Sequence, residues 1–282
     1  MENSNLNKYI GCIVGCAVGD AYGAPYEFIS KGFKTTGEMV SGGAFNLPKG
    51  YYTDDASQVL CLANSLIEND GEFNRKDFMD KLCSWYLDGY MSSTGKFIDI
   101  GIQTRMVLDQ YSYDGSFVLM DDDSQSGNGS LMRIAPIALV YYLDEIPHYA
   151  RESSHVTHAS NLSINACVNY ALLIRMALDG ATKQELLEVS NFDLKLGEFK
   201  SSGFVVDSYN TALYSFFNTE TYKDCIIMAT EFGDDTDTNA CIAGKLAGAF
   251  YGIENIPESW KNDLKDYDLF VKTAEQLFYL KD

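Results

Sequence analysis

The sequence predicts an all-α fold, with many helices packed into one compact domain over residues 1–282. Apolar residues recur mostly at helical spacing. The alternation with period two that is typical of strands is nearly absent, and residues 204–206 are the best candidate for a short strand. No repeat, proline-rich linker or low-complexity tail divides the chain, and 46% of its residues are hydrophobic. A chain of this length and composition can bury a substantial core.

Apolar stripes predict the individual helices. The first two stripes run over residues 56–67 and 78–86, with apolar side chains three or four positions apart. Further helices are predicted over about 131–143, 158–179, 208–217, 221–231, 237–251 and 267–280. Gly180 is well placed to end the long central helix, and Pro257 is well placed to begin another one.

Glycines are spaced four residues apart in two predicted helices. Gly11, Gly15 and Gly19 lie near the N-terminus, and Gly244 and Gly248 lie late in the chain. A glycine inside a helix costs roughly 1 kcal/mol relative to alanine. We expect this cost to be offset, because ridges of small residues let two helix backbones approach closely. A membrane dimerisation motif is the alternative, but the flanking residues are polar and no apolar run approaches the length of a membrane span.

The charge balance excludes one class of partner. The chain carries 21 Lys and Arg residues against 40 Asp and Glu residues, a formal net charge of -19. Such a surface repels phosphate backbones, so general binding of DNA or RNA is not expected. Solvation of the surface explains most of the carboxylates, but a few of them are candidates for holding cations.

The seven cysteines indicate a reducing compartment. Their number is odd, they lie within apolar stretches and no two are arranged as CxxC, which argues against disulfides and against a zinc site. We therefore expect a cytoplasmic protein. The apolar run after Lys8 resembles a secretory signal peptide, but Asp20 interrupts it.

Two acidic clusters each precede a predicted helix. They are Thr53-Asp54-Asp55 and Asp234-Asp235-Thr236-Asp237-Thr238. Helix capping explains one such residue at each helix start. Carboxylates beyond that number would repel each other if they were left unpaired, and divalent cations would relieve the repulsion.

The candidate ligands are all oxygen atoms, from carboxylates and threonine hydroxyls. Oxygen donors without histidine or cysteine nearby in sequence suit hard ions such as Mg²⁺ or Mn²⁺ rather than zinc or copper. With at least four carboxylates, a pair of ions roughly 3.5–4 Å apart can be held. A calcium-binding EF-hand loop is the alternative, but the alternation and the glycine of that loop are missing.

Seven short segments stand out in order along the chain. They are Gly15-Cys16-Ala17-Val18-Gly19-Asp20-Ala21 with Pro25 and Glu27, Tyr52-Thr53-Asp54-Asp55, Phe97-Ile98-Asp99-Ile100-Gly101 with Thr104-Arg105, Gly127-Asn128-Gly129-Ser130-Leu131-Met132-Arg133-Ile134-Ala135-Pro136, Thr157-His158-Ala159, Gly203-Phe204-Val205-Val206-Asp207, and Asp235-Thr236-Asp237-Thr238-Asn239. In this order they resemble the motifs of the ADP-ribosylglycohydrolase family. Each motif alone is ordinary, but seven ordered matches over residues 11–252 are a specific signal. The resemblance implies an orthogonal multi-helix bundle of all-α class.

The resemblance also implies a site that holds two Mg²⁺ or Mn²⁺ ions. By matched position the metal ligands would be Thr53, Asp54, Asp55, Asp235, Asp237 and Thr238. Glu27 and Asp99 take the positions of two acidic residues of the family, and we assign both to catalysis. Glu27 is favoured for contact with the metal-bound water or with a ribose hydroxyl, whereas a structural role for Asp99 stays open.

The segment Gly127-Asn128-Gly129-Ser130, followed by an apolar stretch, predicts a loop that leads into a helix N-terminus. The N–H groups of such a loop would cradle a diphosphate, and glycines would permit its close approach. A tight turn is the simpler alternative.

Three further residues are expected on the substrate side of the pocket. Met132 belongs to the same glycine-rich motif, and the family position of His158 places it on the nucleotide side. A helix cap or a core position is the alternative for His158. Phe204 is a candidate for stacking on adenine or ribose, with core packing as an equal alternative.

The sequence departs from the family pattern at a few positions. Ala56 stands where a threonine commonly follows the paired aspartates, and Asp234 stands where a glycine is usual. The extra charge of Asp234 would either tighten metal binding or face solvent. The acidic run at 121–123 is predicted to be a solvated loop, with contact to a basic partner as the alternative.

The resemblance implies a metal-dependent hydrolase that cleaves ADP-ribose from an acceptor and so reverses ADP-ribosylation. Breaking that bond builds oxocarbenium-like charge on the anomeric carbon, which requires a poised water and a proton carrier. The expected substrate is an ADP-ribosylated protein, with arginine as the favoured acceptor; serine, a nucleic-acid base and a small ADP-ribosyl metabolite stay open as alternatives. An inactive ADP-ribose-binding relative and a metal-dependent phosphoesterase are the alternatives.

Overall fold

The computed structural model describes residues 2–190, 192–194 and 200–280. Within these ranges the α-helices are α1 (Glu2–Gly23), α2 (Asp54–Glu68), α3 (Arg75–Asp88), α4 (Ile102–Asp114), α5 (Ala135–Val140), α6 (Ile146–His155), α7 (Asn161–Leu178), α8 (Lys183–Ser190), α9 (Val205–Phe217), α10 (Tyr222–Glu231), α11 (Thr236–Tyr251), α12 (Glu258–Asp263) and α13 (Tyr267–Tyr279). β-pairing in the described residues is limited to the isolated bridges Gly42–Leu47 and Gly127–Phe204. The predicted all-α class is confirmed.

The two predicted helix boundaries are also confirmed. Gly180 follows the end of α7 with a φ of +97°, and its N–H donates to the carbonyl oxygen of Ala177 across 3.2 Å. This is the left-handed conformation that glycine adopts after a helix. Pro257 directly precedes α12.

Two predicted elements were wrong: one helix is shorter than expected, and one strand is absent. The helix expected over 131–143 is helical only in α5, because the buried side chain of Arg133 is held by Gln58 and Thr157 and the preceding residues form turns. The strand expected over 204–206 is absent, since Val205 begins α9. Phe204 is extended only because it is the residue before that helix, where extended backbone is usual.

The predicted close approach of two glycine-rich helices is confirmed for α1 and α11. A Cβ atom on Gly15 would lie 2.6 Å from the carbonyl oxygen of Gly244, and one on Gly19 would lie 2.2 Å from that of Ala240. No side chain other than hydrogen fits at these positions. The contact continues to the C-terminal end of α1, where the hydroxyl of Thr236 donates to the carbonyl oxygen of Gly23 across 2.9 Å.

The pair formed by α1 and α11 lies at the centre of the core. Helices α9 and α10 pack against α11, and α13 packs against α1 and α2. The antiparallel contact brings the end of α1 to the beginning of α11, and α2 begins at the same place. None of the helices in the described ranges is long and apolar enough to span a membrane.

Candidate active site

An aspartate in α1 joins that helix to the beginning of α2. The fully buried carboxylate of Asp20 accepts hydrogen bonds from the backbone N–H groups of Thr53 and Ala56, each across 2.9 Å. The hydroxyl of Thr53 also donates to Asp20 across 2.9 Å. The sequence prediction did not include Asp20 among the site residues.

The beginnings of α2 and α11 meet directly at this point. The hydroxyl oxygen of Thr53 lies 3.2 Å from Oδ2 of Asp237. The hydroxyl of Thr238 donates to Oδ2 of Asp55 across 3.2 Å. The two acidic segments are therefore neighbours in the fold, although about two thirds of the chain length lies between them.

Six acids form what we call the acidic cluster: Asp20, Glu27, Asp54, Asp55, Asp235 and Asp237. The cluster contains two groups of three carboxylates. Within each group, one oxygen atom from each carboxylate lies within 4.8 Å of the other two. The first group is Asp20, Asp55 and Asp237, and the second is Glu27, Asp235 and Asp237. Asp237 belongs to both groups, so the two arrangements are adjacent.

Burial and mutual repulsion both act on these acids. Burial first, and neighbouring carboxylates second, raise the pKa of Glu27 to about 8. Burial also raises the pKa of Asp20 to about 6, although the N–H donors at the beginning of α2 oppose the rise. The pKa values of three further acids lie well above the ordinary value for the same two reasons: Asp54, Asp55 and Asp237.

A buried lysine supplies only part of the compensating charge. Lys245 of α11 is fully buried, and its ammonium group donates to the carbonyl oxygens of Leu131 and Met132. Its positive charge opposes part of the rise in the pKa values of Asp20 and Asp55. One ammonium group cannot balance the six acids of the acidic cluster.

The acidic cluster fits divalent cations on the chemistry of its own atoms. Oε2 of Glu27 and Oδ1 of Asp55 are buried, and neither has a hydrogen-bond partner among the described residues. Thr53 and Asp235 occupy the N-cap positions of α2 and α11, yet neither side chain makes a capping hydrogen bond. Capping therefore does not explain these residues. A set of oxygen donors with unpartnered buried oxygens is suited to hard cations.

A cleft with a volume of about 640 Å³ opens above the acidic cluster. The acids on its lining are Glu27, Asp54, Asp99, Asp234 and Asp235, together with the hydroxyl-bearing Thr238. Other parts of the lining come from Gly127, Asn128, Gly129, Met132 and His158. Asp99 is half-buried with a φ of +56°. Thr53, Asp55 and Asp237 lie beneath this lining as buried residues.

The glycine-rich loop packs against the imidazole of His158. A Cβ atom on Gly129 would lie 2.8 Å from Cε1 of His158, and one on Gly127 would lie 3.2 Å from Nε2. Nδ1 of His158 and the hydroxyl of Thr157 are 2.7 Å apart. Burial, assisted by the charge of Arg133, lowers the pKa of His158 to about 3, so the ring is neutral at physiological pH.

Asn128 lines the cleft and also contacts the acidic cluster. Its side-chain amide donates to Oδ2 of Asp235 across 2.7 Å and to the hydroxyl of Ser208 across 2.8 Å. Its backbone N–H already donates to the carbonyl oxygen of Gly203. Asn128 therefore orients an acid of the acidic cluster.

Two residues expected on the substrate side do not line the cleft. Ser130 is buried, and its hydroxyl accepts hydrogen bonds from Ser154 across 2.9 Å and from the thiol of Cys167 across 3.3 Å. Phe204 lies beside the loop, in the bridge with Gly127. The predicted loop also does not lead straight into a helix, because α5 begins only at Ala135 after intervening turns.

The comparison with protein families agrees with the resemblance of the motifs. The sequence model of the ADP-ribosylglycohydrolase family matches residues 1–282. The chain belongs to this family. As an ADP-ribosylglycohydrolase it is a glycosyl hydrolase, which the sequence predicted.

Two relatives show how far the similarity extends. The ADP-ribosylarginine hydrolase Tri1 of Serratia proteamaculans is 34% identical over 297 aligned residues, which cover 99% of this chain and 81% of the relative. The ADP-ribosyl-[dinitrogen reductase] glycohydrolase of Rhodospirillum rubrum is 29% identical, with 92% of this chain and 90% of the relative covered. The similarity therefore extends over more than nine tenths of this chain and about four fifths or more of each relative.

A solved structure has the same fold as this glycohydrolase. The structure described as an ADP-ribosylglycohydrolase-related protein complex superimposes with a TM-score of 0.88 at 32% sequence identity. The match covers 99% of this chain and all of the other chain. The predicted multi-helix bundle of the ADP-ribosylglycohydrolase type is thereby confirmed.

Proposed function

We propose that this glycohydrolase uses two divalent cations, Mg²⁺ or Mn²⁺, to release ADP-ribose from an arginine side chain of an ADP-ribosylated protein. The main observation behind the proposal is that two groups of three carboxylates lie side by side and share Asp237. They lie beneath a cleft whose lining includes Glu27. We further propose that the chain works as a single domain in the cytoplasm, which its seven free thiols support.

The proposed metal ligands are Thr53, Asp54, Asp55, Asp235, Asp237 and Thr238, to which we add Asp20. Asp20 belongs to the first group of three carboxylates, and its other contacts fix the beginning of α2. The excess of acids over Lys245 supports binding of positive charge at this place. When bound, divalent cations would supply Lewis-acid polarisation to oxygens of the ribose and of water.

The residues of the chain would divide the remaining work. Glu27, the remaining member of the second group of three, accepts a proton from the attacking water at Oε2 and returns it to the arginine nitrogen that leaves the anomeric carbon. Asp99, on the same lining, orients the ribose. Asn128 holds Asp235 in place. Gly127, Gly129, Met132 and His158 receive the ADP portion, where the missing side chains of the glycines leave room for phosphate oxygens.

Arginine is the acceptor that the comparisons favour. The relative at 34% identity is named for the hydrolysis of ADP-ribosylarginine. The acidic lining of the cleft also suits a cationic acceptor better than a neutral or an anionic one. Small ADP-ribosyl compounds would fit the same chemistry, but they would use less of the lining.

The test is a panel of peptides that carry ADP-ribose on arginine, on serine or on no residue, assayed with Mg²⁺, with Mn²⁺ and with EDTA. We expect metal-dependent release of ADP-ribose from the arginine peptide and none in EDTA. Asp70→Asn is a matched control, because Asp70 is an exposed aspartate that does not line the cleft. Undiminished release in EDTA would refute the metal proposal, and faster release from serine would refute the acceptor.

A further inference from the structure

Two residues next to the acidic cluster are held together on the lining of the cleft. The backbone N–H of Phe28 donates to the carbonyl oxygen of Asp234 across 2.8 Å, and the N–H of Asp234 donates to that of Ile29 across 2.8 Å. Both Phe28 and Asp234 line the cleft. Phe28 directly follows Glu27 in the chain, and Asp234 directly precedes Asp235. Each residue is therefore the neighbour of an acid of the proposed reaction.

Both residues adopt a backbone conformation that side chains other than glycine rarely take. The φ angle is +65° at Phe28 and +65° at Asp234. No residue larger than glycine fits at position 233, since a Cβ atom there would lie 2.6 Å from the carbonyl oxygen of Ile29. Strained backbone of this kind persists where the surroundings fix it, and it is common at binding sites.

The side chains of this pair are free to meet a ligand. Phe28 is 65% exposed, and its ring has an edge contact with the ring of Phe45, with 6.4 Å between ring centres. Asp234 is exposed, and within the described part of the chain its carboxylate makes no hydrogen bond or ion pair. It also lies outside both groups of three carboxylates that suit a cation. The geometry therefore does not support metal binding by Asp234.

We propose that Phe28 and Asp234 form a recognition site for the guanidinium group of the acceptor arginine. The inference rests on the proposed function, because it names the residues that contact the acceptor in the same cleft. A guanidinium group is planar and cationic, so it stacks on an aromatic face and donates paired N–H groups to a carboxylate. A hydroxyl acceptor such as serine would gain neither interaction.

The position of the pair agrees with the position of the bond that is cleaved. The unpartnered Oε2 of Glu27, a residue only 6% exposed, marks where the water is activated, and the acceptor leaves from the same anomeric carbon. Phe28 is the next residue in the chain. The glycine-rich loop and His158, which we assign to the ADP portion, belong to other segments of the lining.

The test compares Asp234→Asn and Phe28→Leu with the wild-type enzyme. Asparagine keeps the shape of aspartate and tolerates the left-handed backbone, so Asp234→Asn removes charge without adding strain. Asp70→Asn is the matched control, because Asp70 is likewise exposed and has a φ of +53° but lies outside the cleft. Circular dichroism and Tm confirm that each variant is folded.

Two measurements with the Mg²⁺-loaded enzyme decide the question. The first is kcat/KM on a peptide that carries ADP-ribose on arginine, and the second is calorimetric titration with arginine methyl ester. We expect Asp234→Asn to lower kcat/KM and the affinity for arginine methyl ester by about ten- to a hundredfold. Phe28→Leu should weaken both by a smaller factor, and Asp70→Asn should stay within about twofold of wild type.

The outcomes separate this inference from the proposed function. Wild-type values for Asp234→Asn in both measurements would overturn the inference and leave the proposed function standing. If the wild-type enzyme released no ADP-ribose from the arginine peptide, the proposed acceptor would be wrong. Titration with arginine methyl ester would still decide whether Phe28 and Asp234 bind a guanidinium group.

Discussion

The hydroxyl oxygen of Thr53 lies 3.2 Å from Oδ2 of Asp237, although the two residues are 184 positions apart in the chain. The contact joins the first turn of α2 to the first turn of α11. It depends on the glycine contact between α1 and α11, which brings Asp20 to the same place. The predictions that follow concern the acids that meet here.

Replacing Asp55 by asparagine should abolish activity without unfolding the protein. Asp55 is fully buried, its Oδ1 has no hydrogen-bond partner among the described residues, and it belongs to a group of three carboxylates. We expect kcat/KM to fall by about a thousandfold or more, because removing a preorganised charge at a reacting centre has effects of this size. Helical content should stay near wild type. Full activity of Asp55→Asn would contradict the assignment of the site.

Divalent cations should stabilise the protein more at pH 8 than at pH 5. Burial raises the pKa of Glu27 from its ordinary value of 4.5 to about 8, so the folded protein keeps a proton that the unfolded chain releases. Without metal, this contribution to stability is complete at low pH and is lost as the pH rises through about 8.

Bound cations neutralise the carboxylates in place of those protons. They therefore add most to the stability of the fold at high pH, where the carboxylates have lost their protons. We expect saturating Mn²⁺ to raise Tm by about 5–10 °C at pH 8 and by clearly less at pH 5. Thermal melts at both pH values, with and without Mn²⁺, measure the effect. A rise in Tm that was equal at both pH values, or larger at pH 5, would argue against cation binding by these acids.

Glu27→Gln should separate catalysis from binding. The amide keeps the shape of the side chain but cannot accept a proton from water, so we expect kcat to fall by about 10²- to 10⁴-fold. The affinity for free ADP-ribose, measured by calorimetry, should change only slightly because the glycine-rich loop and His158 are untouched. An equal loss of affinity and of kcat would assign Glu27 to substrate binding instead.

Gly19→Ala should destabilise the whole fold. Its Cβ atom would lie 2.2 Å from the carbonyl oxygen of Ala240, so α1 and α11 would have to move apart. Overpacking of this kind costs about 1–3 kcal/mol in the free energy of unfolding, and the backbone clash places Gly19→Ala at the upper end. Gly101→Ala is the control, since a Cβ atom there meets nothing within 4 Å. Similar denaturation midpoints for the two variants would show that the helices do not need this contact.

The sequence was a good guide wherever the signal was local. Apolar spacing located α2, α3 and α7, and Gly180 and Pro257 marked helix ends because their backbone preferences do not depend on distant residues. The acidic runs at 53–55 and 235–238 were recognisable because their number exceeds what capping requires.

Asp20 shows what a local interpretation misses. It was predicted to interrupt an apolar run and to belong to the first family motif, but not to be a site residue, whereas it is a fully buried member of the acidic cluster. A charged residue within a helix that is otherwise apolar and rich in small residues is itself a signal, because burying a carboxylate without partners is costly. That signal could have added Asp20 to the site.

Other errors came from contacts that the sequence does not reveal. The helix expected over 131–143 is shortened where Arg133 turns inward to Gln58 and Thr157. Ser130 faces Ser154 and Cys167 instead of the cleft. In each case a long-range hydrogen bond decides the direction of a side chain that the motif alone leaves open.

The close contact of α1 with α11 also has a consequence for biosynthesis. The first helix, α1, carries Asp20, but its partner α11 is synthesised only after α2 to α10. A nascent chain therefore has neither a complete acidic cluster nor a closed contact between the glycines of the two helices until α11 has emerged, and until then α1 exposes a strip of small apolar residues. Chaperone dependence during synthesis should follow from this order of events.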